Sequence, residues 1–191
     1  MNFVTMKKFT SNINLHEVQQ EIEGGRPCNL RIETIRESCS HRLLAELEEF
    51  KLTVRNLEIS TAFVSFETLS NVLKDFDSLT HLTLVNCNFT QNTGCDSQVH
   101  LRNMTSLDVT ACDFKIFSIL KPNTQITFLR FDVSRYIGDE FPQFLMACPN
   151  ITTLVLKNSA KLFLTASNQN FPFNLTKLSV DDLFDPRPVS Y

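Results

Sequence analysis

The stretch Leu79-Thr80-His81-Leu82-Thr83-Leu84-Val85-Asn86-Cys87-Asn88-Phe89 decides how this chain folds. Apolar residues hold its first, fourth, sixth and eleventh places, and a cysteine holds the ninth. Places four and six are two apart, so in an extended strand they share one face while their neighbours share the other. One short strand is therefore expected here, with Leu82 and Leu84 turned toward a core and His81, Thr83 and Val85 turned away from it.

The pattern recurs in both directions. Met104, Leu107, Val109, Cys112 and Phe114 repeat it 25 residues later, and Val54, Leu57, Ile59, Ala62 and Val64 precede it by the same step. Ile126, Leu129, Phe131, Ser134 and Tyr136 follow, then Ile151, Leu154, Leu156 and Ser159, then Leu175, Leu178, Val180 and Leu183. The six starts are separated by 25, 25, 22, 25 and 24 residues. A weaker seventh unit fits ahead of them on Leu30, Ile32 and Ile35.

Steps of this size and the motif L-x-x-L-x-L-x-x-N/C-x-L are those of leucine-rich repeats, whose period is about 20 to 29 residues. Parallel strands require a crossover between them, so the remainder of each unit must return along the outside. The expected fold is an α/β leucine-rich-repeat solenoid of six or seven units, with a parallel β-sheet on the concave face and helices or irregular segments on the convex face. It should occupy residues 28–191, preceded by a 1–27 segment containing one helix.

Two returns have helical spacing, Phe66, Leu69, Val72, Leu73 and Phe76 in one and Leu43, Leu44, Leu47 and Phe50 in the other. Glu140 to Ala147 makes a third. Thr90 to His100, with Gly94, and Ala166 to Asn174, with Pro172, read as irregular. The small polar residue at place nine should tuck into the turn after the strand and meet backbone groups there. Phenylalanine is abundant, 17 residues against no tryptophan, and should fill the space between the strand and helix layers. Few residues follow Leu183, so Leu178, Val180 and Leu183 should be more exposed than their counterparts in the middle units.

The bulk composition narrows the function. A chain of 191 residues with 42% hydrophobic content can bury a sizeable core. With 18 basic and 21 acidic residues its net charge is -3, which supplies no field to gather nucleic acid or an anionic membrane. Lys7 and Lys8 follow a short apolar stretch, whereas a secretory signal places its basic residues first. Phe144 to Cys148, the longest apolar run, is far below the roughly 20 residues of a membrane helix. Six cysteines in a chain of this size, without a secretion signal, read as free thiols in a reducing, intracellular compartment. Four Asn-x-Thr matches, at Asn88, Asn103, Asn150 and Asn174, are the one feature that favours a secreted, glycosylated recognition protein instead.

No spacing suggests catalysis or a cofactor. The chain has no C-x-x-C, H-x-x-x-H or G-x-x-x-x-G-K, its four glycines build no phosphate loop, and its four histidines are scattered. Cys87 and Cys112 should stack in adjacent units about 5 Å apart, but Ala62 and Ser134 at the flanking equivalent places offer no third thiolate or imidazole for a metal. Asp181, Asp182 and Asp185 read as a solvated terminus. Neither a catalytic residue, a metal nor a cofactor is expected.

What remains is the concave wall. Places three, five and seven form columns across it, and among them His81, Thr83, Asp108, Phe128, Arg130, Asp132, Val155 and Lys157 make the candidate partner-binding face. Phe128 beside Arg130 is its sharpest feature, because an aromatic and an arginine are favoured anchors in protein interfaces.

With cysteine at place nine, steps near 25, and Cys148-Pro149-Asn150-Ile151-Thr152-Thr153-Leu154 closing one helix and opening the next strand, the chain resembles the F-box and leucine-rich-repeat proteins over roughly residues 28 to 184. The resemblance implies substrate recognition for a ubiquitin ligase, an adaptor role without catalysis. Residues 1–27 are too short for an F-box and lack its Leu-Pro opening, so contact with Skp and cullin is expected only where a longer chain supplies that box. The other readings are a scaffold or regulatory module without a ligase, and the secreted recognition protein.

Overall fold

The computed structural model describes residues 4–6, 28–32, 35–36, 52–74, 76–90, 99, 102–112, 116–121, 123–132, 140–157, 172 and 174–181. Its main element is an eight-stranded sheet made of β1 (Val4–Met6), β2 (Cys28–Ile32), β4 (Val54–Ile59), β6 (His81–Val85), β8 (Ser106–Thr110), β9 (Phe128–Asp132), β10 (Thr153–Lys157) and β11 (Lys177–Asp181), lying side by side in that order. Every adjacent pair is parallel. The sheet thus begins within the N-terminal segment that the sequence set apart, and it holds eight strands where six or seven were expected. The helix expected within 1–27 and the one over Leu43 to Phe50 lie outside the described residues.

Register follows the repeat. Leu30, Leu57, Leu82, Leu107, Leu129, Leu154 and Leu178 are mutual neighbours across successive strands, and so are Ile32, Ile59, Leu84, Val109, Phe131, Leu156 and Val180. Both columns are buried as far as Leu154 and Leu156. At β11 they emerge, Leu178 at 46% and Val180 at 40% exposure, as expected for the last unit; Leu183 lies outside the described residues.

A second sheet, which the periodicity does not announce, accompanies the first. It joins β3 (Ile35–Arg36), β5 (Ala62–Ser65) and β7 (Cys87–Thr90), again parallel, with Ala62 beside Cys87 and Phe63 beside Asn88. Asn86 (φ 54°) and Ala111 (φ 52°) make the bend that follows β6 and β8, and Asn86 joins β6 directly to β7. This left-handed conformation suits asparagine but costs alanine roughly 1 kcal/mol or more.

Helix α1 (Phe66–Leu73) follows β5 where the apolar spacing placed it, and stops short of Phe76. Ser65 caps it, its hydroxyl accepting from the Thr68 N–H at 3.2 Å. Phe66, Leu69, Val72 and Leu73 are buried, and the Phe66 ring stacks on Phe89 with centroids 5.2 Å apart. A short α2 (Ile116–Ile119), absent from the sequence reading, and α3 (Glu140–Met146) cover the later strands. Phe117 lies 4.8 Å from Phe131, 5.2 Å from Phe141 and 4.8 Å from Phe144, so rings do fill the space between helices and sheet.

The turns entering β6, β8, β9, β10 and β11 carry a device that apolar spacing cannot reveal. The Thr80 carbonyl accepts the Thr105 N–H (2.8 Å), the Ser106 N–H (3.0 Å) and the Thr105 hydroxyl (3.3 Å). The Thr105 carbonyl receives the same three donors from Thr127 and Phe128, the Thr127 carbonyl from Thr152 and Thr153, and the Thr152 carbonyl from Thr176 and Lys177. A parallel set of side-chain bonds runs two residues earlier in two of these turns, Asn103 Nδ2 to the Asp77 carbonyl and Asn150 Nδ2 to the Thr124 carbonyl, both 2.6 Å. In Asn103-Met104-Thr105 and Asn150-Ile151-Thr152 the stack therefore employs both polar residues of the Asn-x-Thr match.

Two stability changes are expected. Leu107→Ala should cost about 2 to 5 kcal/mol by opening a cavity between buried neighbours, whereas Leu178→Ala should cost under about 1 kcal/mol because its side chain already meets solvent. Ala111→Gly should instead gain about 0.5 to 1 kcal/mol by relieving the left-handed alanine, net of the added freedom of the unfolded chain. Urea unfolding followed by circular dichroism measures all three; equal losses at positions 107 and 178 would contradict the open last strand.

Candidate functional site

The face of the main sheet opposite the leucine columns is set by alternation along each strand. On it His81, Ser106, Phe128 and Thr153 are in-register neighbours, and so are Thr83, Asp108, Arg130 and Val155 in the next column. Asp132 and Lys157 are neighbours in the column beyond. The eight candidate residues therefore come together as one patch over β6, β8, β9 and β10. His81 is exposed, and Thr83, Asp108, Phe128, Arg130, Asp132 and Lys157 are part-buried.

Val155 departs from the expectation of an open wall position: it is only 8% exposed. Its register partner is Arg130, whose methylene stem is of the kind that covers adjacent apolar surface. It offers a partner little area.

The patch is organised around Asp108. Its Oδ2 accepts from Arg130 Nη1 at 2.8 Å, and its Oδ1 accepts from the Thr110 hydroxyl at 3.1 Å. Held in this way, the guanidinium carbon of Arg130 lies 5.7 Å from the centroid of the Phe128 ring, within cation–π range. The side chains of Arg130 and Asp108 are 40% and 16% exposed. Solvent therefore screens the pair, and its value is to fix the guanidinium and ring in one arrangement more than to stabilise the fold.

The same construction occurs once more, among residues outside the sequence-derived set. Glu58 Oε2 accepts from Arg31 Nη2 at 2.9 Å, and Glu58 Oε1 accepts from the Ser60 hydroxyl at 3.3 Å. In both places a fifth-column carboxylate binds an arginine from the adjacent strand and a hydroxyl two residues along its own. Asn56 adds a hydrogen bond to Asn29 in the neighbouring column. The signal was present in the sequence as opposite charges at the same place of successive units, Arg31 with Glu58 and Asp108 with Arg130.

Among the described residues no three of His, Cys, Asp and Glu are grouped to hold a metal ion, and no helix is long and apolar enough to cross a membrane. The patch contains an ion pair, a ring and hydroxyls, which suit recognition by shape and hydrogen bonding. Comparison with protein-family models, with curated proteins and with solved structures gives no match.

The geometry predicts a small coupling. In a double-mutant cycle of Asp108→Ala and Arg130→Ala, the interaction energy should be about 0.5 to 1 kcal/mol at low salt and shrink in about 1 M salt. Chemical denaturation of the four proteins measures it, and a coupling of several kcal/mol would show that the pair is far better shielded than its exposure implies.

Proposed function

We propose that this chain is a leucine-rich-repeat solenoid that binds another protein on the face carrying Phe128 and Arg130. The observation that supports this most is the contiguous patch over β6 to β10, where a half-buried ring, an arginine held above it and a set of hydroxyls share one regular surface. A parallel sheet whose spatial order is its chain order, with buried columns repeating at the sequence period, supports the solenoid. Phe128 and Arg130 are the anchors, His81, Thr83, Asp132 and Lys157 surround them, and Asp108 positions the arginine. The role is binding, without catalysis.

The setting we propose is substrate recognition in an intracellular ubiquitin ligase, resting on the resemblance of the repeat to the F-box and leucine-rich-repeat proteins. Skp and cullin would then be reached through an F-box carried by a longer chain. The scaffold reading shares the same face without the ligase. The secreted reading loses part of its support, since two of the four Asn-x-Thr matches are explained by hydrogen bonds within the stack.

Affinity purification from native cells with quantitative mass spectrometry tests both levels, using the wild type, Phe128→Ala with Arg130→Glu, and Glu67→Ala on exposed helix surface as the control. A partner anchored at about 2 kcal/mol by either residue should fall by about thirty-fold with the double variant and be unchanged with the control. Co-recovery of Skp and cullin supports the ligase setting. If every prey binds all three forms equally, the face is misassigned.

A further inference from the structure

The turn that closes β6 and β8 brings two nucleophiles together that the binding face does not use. Val85 and Thr110 are register partners, each is followed by one left-handed residue, and each of those by a cysteine. Cys87 and Cys112 thus leave equivalent points of neighbouring turns. Parallel strands lie about 4.8 Å apart, within the Cα separation of about 4.4 to 6.8 Å that a disulfide spans. The Cys87 backbone N–H donates to Cys112 Sγ at 3.4 Å, and both thiols are free and buried.

The two sulfurs are not equivalent. Cys87 Sγ has carbonyl acceptors, Val85 at 3.5 Å and Ile59 at 3.7 Å, while Cys112 Sγ faces the Thr110 carbonyl at 3.3 Å and receives the Cys87 N–H. The Cys87 thiol, able to donate to its neighbour, favours the Cys112 thiolate and pulls its ionisation down, and the same bond together with burial pushes Cys87 up. Cys112, which receives the Cys87 backbone N–H and keeps some exposure where Cys87 has none, is the attacking sulfur, and Cys87 is the resolving one. Cys148 is the internal contrast, a buried thiol pushed up to about 11 by desolvation.

We propose that Cys87 and Cys112 are a redox pair, converted by hydrogen peroxide into a disulfide that clamps two neighbouring turns of the fold. The Cys112 thiolate attacks one peroxide oxygen and the O–O bond breaks, leaving Cys112 sulfenic acid and hydroxide. The Cys87 sulfur then attacks the Cys112 sulfur, the S–O bond breaks, and the oxygen leaves as water with the Cys87 proton. The net change is two thiols and one peroxide to one disulfide and two waters, with sulfur oxidised and peroxide oxygen reduced. Burial restricts the oxidant: Cys87 is 0% and Cys112 4% exposed, so a bulky disulfide is excluded and a molecule little larger than water meets Cys112 alone. Ala62 beside Cys87 ends the run of sulfurs on that side.

The test treats the folded wild-type chain with hydrogen peroxide, blocks remaining thiols with N-ethylmaleimide under denaturing conditions, and maps peptides without reduction. A Cys87–Cys112 linked peptide two hydrogens lighter than its separate parts should be the dominant disulfide, reversed by dithiothreitol, with Cys148 still alkylated. Cys87→Ser should leave Cys112 as a sulfenic acid that dimedone traps when added with the denaturant, and Cys112→Ser should give no adduct at position 87. Recovery of both cysteines as alkylated thiols overturns the pair, as does Cys112 sulfinic acid with Cys87 free, or a dominant link among the other cysteines. The wild-type map decides the matter even if either variant fails to fold.

Discussion

The carbonyl oxygens of Arg55, Thr80, Thr105, Thr127 and Thr152 hold the register on which the rest of the structure depends. Each accepts a backbone N–H and a threonine hydroxyl from the next turn, so a strand is positioned at its entry by polar groups as well as by the packing of its side chains. In a sheet with one buried face, a slip of one residue would exchange the leucine columns for the polar ones. Hydrophobic burial alone fixes which face is inside. The threonine bonds also fix which residue lies beside which, and they do so with groups that would otherwise be orphaned at strand entry.

Places four and six were legible because a two-residue period is a strong signal and six units repeat it. The threonine ladder was equally visible, since threonine stands at place two in five of those units, but a search for apolar periodicity gives a polar residue no weight. The second sheet was harder to find. Ala62-Phe63-Val64-Ser65 and Cys87-Asn88-Phe89-Thr90 are short segments inside what reads as a return, and four residues cannot be told from irregular chain by period. The left-handed bend was readable at Asn86, which favours it, and illegible at Ala111, which does not. Cysteine at place nine does meet backbone carbonyls, as Cys87 does with Val85 and Cys112 with Thr110, but Cys87 opens β7 where a turn was expected.

The same logic of equivalent places explains the candidate site. Stacking puts fifth-place residues of adjacent units side by side, so Arg31 meets Glu58 and Arg130 meets Asp108 without any loop having to bring them there. These pairs cancel charge within the face. On the proposed reading, attraction to a partner from a distance would be correspondingly weak in a chain of net charge -3, and discrimination would come from the ring, the hydroxyls and their fixed spacing. Fixed spacing is what the sheet provides: side chains on strands are placed more firmly than those on loops.

Thr110 shows how closely front and back are built together. Its carbonyl accepts from the Asn86 N–H at 2.9 Å and faces the buried Cys112 Sγ at 3.3 Å, while its hydroxyl donates to Asp108 on the face. Asp108 in turn holds Arg130 above Phe128. A run of contacts is not in itself a coupling, which requires that both ends have two arrangements. What this run does is anchor the carboxylate to a backbone position already fixed by the turn, so that the orientation of Arg130 is inherited from the register of β8 and not chosen by a free side chain. The residues that specify the fold and those that form the face are therefore partly the same.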